Sequence, residues 1–488
     1  MAVSGRSEYD KRWLVLAVVG VAQLMIVLDV TIVNIALPSA QRDLGFSTDS
    51  RQWIVTAYAL AFGSLLLLGG RLGDLFGRKW AFIGGLLGFA VASAAGGAAG
   101  SFGVLVAARA SQGVFAAVLA PSALALLATT FTAPAERGKA FGIYGAIAGG
   151  GAAVGLLLGG ILTETLTWRW CLYVNLVFAL PTAVAALRLI VNVPQPGRPP
   201  LDLPGTALAT SGLFALVYGF SNSETHSWTH PVTIGMLAAA VVLLGAFAWL
   251  ESRVAHPLLP LRVIADRVRG GSYLAIGISG IAMFAVFLFL TYFMQQTKGF
   301  SPIQTGLAFL PMTAVIMTTS TLVNIKLLAR VGPRPLLVLG MSLGALVMVW
   351  FSQLTPSSTY AGHILPGLLV QGVAMGNIFA PAFASATYGV DRQDSGVASA
   401  LVNTMQQVGG SIGTALLSSI FATAARSYVQ GAGAPPTPGL LARGAVHGYD
   451  VAFWVAAGVF AFGAIVVGTL MRTIRVTSPA GEPAVAQP

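Results

Sequence analysis

The sequence predicts an all-α membrane protein of fourteen spanning helices, and three observations carry that expectation. First, 56% of the 488 residues are hydrophobic and 9% are charged, with a mean hydropathy of +0.80. A soluble globule carries about 25% charged residues, so this chain could not cover its surface in water. Second, the apolar residues fall in continuous runs of about twenty, the length that carries a helix across a bilayer. Backbone polar groups in lipid must be paired within the protein, which leaves helices or closed barrels, and runs this long favour helices. Third, the bases sort by side. With the amino terminus inside, 20 of the 27 lysines and arginines fall in inner loops, six fall outside, and Arg109 lies in a span. That bias places both termini in the cytoplasm.

The fourteen segments lie at 13–37, 51–70, 79–99, 103–128, 138–162, 169–190, 203–221, 230–250, 271–294, 303–325, 335–352, 361–385, 396–424 and 450–471. The first follows Lys11-Arg12, is longer than a signal-peptide core and has no small-residue cleavage site after it, so it reads as a retained span. Trp13, Trp80 and Trp249 fall at inner ends and Trp53, Trp168, Trp170, Trp228, Trp350 and Trp454 at outer ones, as interfacial aromatic belts require. The net charge of +11 therefore orients the chain and does not point to nucleic acid. A single cysteine, Cys171, excludes an internal disulfide, and the five histidines lack metal-ligand spacing.

Segments one to six and nine to fourteen read as copies. Leu72-Gly-Asp-Leu-Phe-Gly77-Arg-Lys79 aligns with Leu327-Leu-Ala-Arg-Val-Gly332-Pro-Arg334, and Gln112-Gly113 with Gln371-Gly372, at offsets of 255 and 259. The chain thus divides into a six-helix bundle over 1–190, a linker with two inserted helices and a loop over 191–270, a second six-helix bundle over 271–475, and a disordered tail over 476–488. Residues 251–270 read as an interfacial helix with Leu258, Leu259 and Leu261 against lipid. Residues 430–443 read as a mobile outer loop. The second copy has Ala329 in place of Asp74 and Leu368 in place of Arg109, which leaves the ionisable groups mainly in the first.

Between segments two and three stands Gly70-Arg71-Leu-Gly73-Asp74-Leu-Phe-Gly77-Arg78-Lys79. The glycines allow a tight turn, and Asp74 is placed to cap the helix that follows. Inside segment one, Asp29 is expected about two thirds of the way across. A charge at the bilayer centre costs about 2.5–3.5 kcal/mol. Burial favours the neutral form of a carboxyl, so such a group is suited to exchanging a proton; a hydrated structural aspartate at the outer mouth is the alternative. Arg109 and Gln112 share a face of segment four. Arginine keeps its proton, so Arg109 would act on a neighbouring carboxylate, polarise a proton path or hold backbone carbonyls.

Segment five carries Gly145, Gly149, Gly155, Gly159 and Gly160, small residues at the spacing that lets helices approach in lipid. Phe284, Phe287 and Tyr292 in segment nine are candidates for an adaptable drug pocket or for lipid-facing surface. Asn34, Tyr58, Gln112, Asn377, Asn403, Gln406 and Gln407 could line a cavity or bond between helices. No nucleotide-binding loop occurs, so no cofactor is expected and the energy source would be an ion gradient.

The Gly70–Lys79 turn resembles the loop signature of the major facilitator superfamily. Leu28-Asp-Val-Thr-Ile-Val-Asn-Ile-Ala-Leu-Pro38, the Arg109 segment, and Trp168-Arg-Trp170 with Asn175 resemble its fourteen-helix drug:proton antiporters. The Gly-rich fifth segment is similar to the antiporter signature, with Gly155-Leu156 where the family has Gly-Pro, a loss expected to remove a bend. The resemblance implies the major facilitator fold, with alternating access between two halves. It also implies export of hydrophobic or cationic drugs by a single chain in the plasma membrane, with no catalytic activity. Asp29 and Arg109 would handle the proton, and Gly70, Arg71, Gly73, Asp74, Gly77, Arg78 and Lys79 would form a conformational latch. An importer of the same fold and a transport-inactive sensor are the alternatives. Five lysines against 22 arginines, with abundant Ala, Gly and Val, point to a GC-rich bacterium.

Overall fold

The computed structural model describes residues 2–46, 48–192, 201–432, 435 and 437–472, and leaves out some side chains within these, including those of Asn34 and Phe284. The expected tail and most of the linker after 192 lie outside the described residues. The first eight helices are α1 (Ala2–Leu44), α2 (Thr48–Phe76), α3 (Arg78–Gly97), α4 (Phe102–Thr130), α5 (Pro134–Thr165), α6 (Trp170–Leu189), α7 (Leu203–Thr225) and α8 (Pro231–Glu251). They are followed by α9 (Leu261–Ala265), α10 (Arg267–Tyr292), α11 (Pro302–Leu322), α12 (Ala329–Val331), α13 (Pro333–Phe351), α14 (Leu365–Ala386), α15 (Ser395–Gly431) and α16 (Pro438–Leu470). Among the described residues thirteen helices are long and apolar enough to cross a membrane, and α5 makes a fourteenth as a pair bent by 45° between Glu136–Gly151 and Val154–Thr165. The bend therefore survives without the family's proline. It falls beside Gly149, Gly150 and Gly151, where no side chain stiffens the turn.

The helix starts follow local chemistry. Proline opens α5, α7, α8, α11, α13, α14 and α16, where its missing N–H costs nothing. Ser301 and Gln304 close a reciprocal capping box on α11. The breaks before α3 and α13 are made by Gly77 (φ 91°) and Gly332 (φ 77°), both in the region where a side chain would be strained. The internal repeat thus extends to backbone shape. It also extends to packing: a Cβ on Gly113 would meet the Tyr58 carbonyl on α2, and one on Gly372 would lie 2.8 Å from the Met312 carbonyl on α11.

Two loop expectations are corrected. Thr437 accepts the Leu440 N–H at 3.2 Å and Pro438 opens α16, so residues 438–443 are helical and the outer loop shrinks to a few residues. The segment after α8 forms only the five-residue α9; Leu258 and Leu259 are buried in protein and Leu261 alone is exposed, because Glu251 accepts the Leu259 N–H at 3.0 Å and folds the chain inward.

Small residues let the helices approach closely. A Cβ on Gly413 of α15 would sit 2.5 Å from the Ile281 carbonyl of α10, whereas Gly410, one turn earlier, has nothing within 4 Å. Gly413→Val should cost about 1–3 kcal/mol of stability by overpacking and lower the thermal midpoint in detergent, with Gly410→Val as the silent control.

Candidate functional site

Asp29 and Arg109 meet inside the first six helices. Arg109 Nη1 lies 2.6 Å from Asp29 Oδ2, and the two residues are 1% and 0% exposed. The other carboxylate oxygen, Oδ1, accepts from Gln112 Nε2 at 3.0 Å and from Asn175 Nδ2 at 2.8 Å. Gln112 also donates to Ser93 Oγ at 2.7 Å, and its amide oxygen accepts from Arg109 Nη1 at 2.9 Å. Arg109 Nε donates to the Ile54 carbonyl at 3.2 Å, and the guanidinium carbon lies 4.5 Å from the Tyr58 ring centroid. One carboxylate thus gathers donors from α4 and α6, and the network reaches α2 and α3. Around it the walls are apolar: a 10 Å³ cavity lined by Val33, Ile54, Leu105 and Trp168 touches Arg109, room for about one water.

The arrangement is a buried ion pair with its lone pairs satisfied. Stripping water from two charges is expensive, and the attraction offsets that cost only when geometry and hydrogen bonds are good. Removing either charge strands the other.

At the basic end, which carries the Gly70–Lys79 turn, the two halves touch. Asp74 does not cap the following helix as expected; α2 runs on to Phe76, and the start of α3 at Gly77 has no side-chain cap. Asp74 Oδ1 accepts instead from the Gly396 N–H at 3.2 Å, across the interface at the start of α15, and pairs with Arg78 at 3.2 Å. A carboxylate there meets the positive end of α15. Gly70 makes the approach possible, since a Cβ would lie 2.7 Å from the Gly396 carbonyl oxygen. Gly73 faces Ser122, Arg71 is buried, and Lys79 Nζ donates to the Leu187 carbonyl at 2.8 Å. Arg137 of α5, one of the bases counted above on the inner side, works in the opposite sense. It donates to Ala128 O at 2.9 Å, Ala384 O at 3.4 Å and Thr387 Oγ1 at 2.6 Å, joining the negative ends of α4 and α14. Beside it a cavity of about 220 Å³ opens between Thr129, Thr387, Tyr388 and Ser395.

The fifth-segment glycines split between two faces. Cβ atoms on Gly155 and Gly159 would press on Leu28 and Ile32 of α1, while Gly145 faces Ala380, Gly149 faces Ile316 and Phe379, and Gly160 faces Ile303 in the other half. The cavity candidates are not brought together. Gln112 belongs to the Asp29 cluster, and Tyr58 is buried over Arg109. Asn377 and Asn403 are buried and donate to their own helices, at Val373 O and Ser399 O. Phe287 packs on Phe309 at 5.3 Å, Tyr292 is exposed, Gln407 faces Gly63 on α2, and Gln406 is half-buried. In the second half Gln371, the counterpart of Gln112, is fully buried with neither amide atom bonded. Asn175 and Ser93 complete the site yet look in sequence like any mid-helix polar residues.

Comparison with known proteins agrees with this architecture. The chain is 50% identical over 464 residues to the puromycin resistance protein pur8 of Streptomyces alboniger, covering 94% of this chain and 92% of that one. It is 38% identical over 463 residues to the cephamycin export protein CmcT of Amycolatopsis lactamdurans, with the same coverage of 94% and 92%. Among solved structures, human organic anion transporter MFSD10 (TETRAN) superposes with a TM-score of 0.63 at 16% identity, over 93% of this chain and 99% of that one, a likeness of fold. Residues 19–414 match the family model described as Major Facilitator Superfamily, and the chain belongs to that family of membrane transporters.

Proposed function

We propose that the protein exports an antibiotic from the cytoplasm in exchange for protons, with Asp29 as the exchanging group. The observation that carries this reading is the 2.6 Å Arg109–Asp29 pair, fully buried and bonded to Gln112 and Asn175. In the paired state Asp29 is a carboxylate and Arg109 is held. Protonation of Asp29 removes the anion, and Arg109 retains only Gln112 Oε1 and the Ile54 carbonyl. The five helices tied through this network then rearrange, and the halves rock about the midplane. The basic end faces the cytoplasm, both termini lie there, and Asp74 and Arg137 hold that side shut in the conformation described here. The relatives, whose names cite puromycin resistance and cephamycin export, support an antibiotic as the substrate.

The test is a resistance profile. A sensitive host expressing the chain should survive puromycin, and a protonophore should abolish that survival. Resistance that persists at zero proton gradient would contradict proton coupling, and sensitivity to every antibiotic tried would contradict export.

A further inference from the structure

A second pair of carboxyls stands apart from Asp29, where the inserted helices meet the basic end. Asp202 precedes α7 and caps it, Oδ1 accepting the Gly205 N–H at 2.8 Å. Glu251 ends α8, is 4% exposed, and holds the Leu259 N–H through Oε2 at 3.0 Å. Their remaining oxygens, Asp202 Oδ2 and Glu251 Oε1, are both buried and have no hydrogen-bond donor. These oxygens converge on one point: a Cβ on Gly205 would touch Asp202 Oδ2 and lie 2.6 Å from Glu251 Oε1.

Among the described residues no base forms an ion pair with either carboxyl. Arg253, just past Glu251, stacks on Trp249 at 4.7 Å. On α2, which packs along α7, Asp74 pairs with Arg78 of α3; beside α15, Asp394 pairs with Arg262. Thr206, one turn along α7 from Asp202, brings a buried hydroxyl that is likewise unbonded. Two carboxyl oxygens that converge here, with no donor on either and no cation on them among the described residues, repel each other when both groups are charged.

We propose that Asp202 and Glu251 share one proton between Oδ2 and Oε1, a proton-binding site of the inserted helix pair. The shared proton converts two repelling acceptors into one hydrogen bond and ties the entry of α7 to the exit of α8. The site reaches the interface between the halves through a short chain of contacts. Glu251 fixes Leu259, two residues before α9; Arg262 on α9 pairs with Asp394 at 2.5 Å; Asp394 immediately precedes α15, whose Gly396 N–H bonds Asp74. Losing the proton sets two negative charges against each other and frees that brace.

Infrared difference spectra of the full chain in lipid nanodiscs test the proposal, using carbon-13 glutamate and aspartate labelling to assign carboxylic-acid bands. At neutral pH a protonated-carboxyl band belonging to this pair is expected, separate from any that Asp29 contributes. It should remain in Asp29→Asn, vanish in Glu251→Gln and vanish in Asp202→Asn, and it should not respond to added Na⁺, K⁺ or Mg²⁺. Should Glu251→Gln fail to fold, Asp202→Asn carries the same reading alone. Absence of the band from the wild type, its survival in a folded carboxyl variant, or its saturable removal by one of those cations would overturn the shared proton. None of these results depends on Asp29 or on what the protein exports.

Discussion

Asp29→Asn abolishes export while the protein still reaches the membrane. Asparagine keeps the size of the side chain and one acceptor oxygen, so Gln112 and Asn175 can still donate, but it turns an amide toward the Arg109 guanidinium, now 1% exposed with no anion. Stranding one member of a buried ion pair costs about 3–5 kcal/mol, so the thermal midpoint should fall and resistance should disappear. Those two losses have different causes, and a second variant separates them. Asp29→Leu with Arg109→Met removes both charges; replacing a buried pair by apolar side chains is often neutral, or stabilising by about 1–4 kcal/mol. The double variant should recover much of the lost stability and none of the transport. Recovery of both would reduce the pair to scaffolding.

Asp74→Ala opens the basic end. It removes the acceptor of the Gly396 N–H and the partner of Arg78 in one step, and takes a negative charge from the amino terminus of α15. Leaving a buried donor unpaired costs about 1–3 kcal/mol. Spent on only one of two conformations, that is a shift of roughly 5–150-fold in their ratio. Spin labels at Phe76 and Gln393, both exposed at this end, read the shift as a move toward longer distances. An unchanged distance distribution would show that Asp74 does not hold the halves together.

The helices were legible because hydropathy and charge bias act over twenty residues at a time, and no tertiary contact overrides them in lipid. Asp29 and Arg109 were legible singly, since each is costly in a span. That they meet was not, because they are 80 residues apart and nothing local fixes the rotation of α1 against α4. Asp74 shows the opposite failure. Its sequence position suits a cap on the next helix, but α2 continues past it and Gly77 makes the break, so the carboxylate serves a helix more than 300 residues away. Asn175 and Ser93 carry no sequence signal for their role, because an uncharged polar residue in a span more often bonds within its own helix. Asn377 and Asn403 do so, and for that reason the expected cavity lining is scattered.

Proton release from the purified transporter is the most direct measurement of whether Asp29 exchanges its proton for substrate. Puromycin added to wild-type protein in lightly buffered detergent should acidify the solution in proportion to the amount bound. Asp29→Asn should bind puromycin and release nothing. Equal acidification by both proteins would place the exchanging group elsewhere.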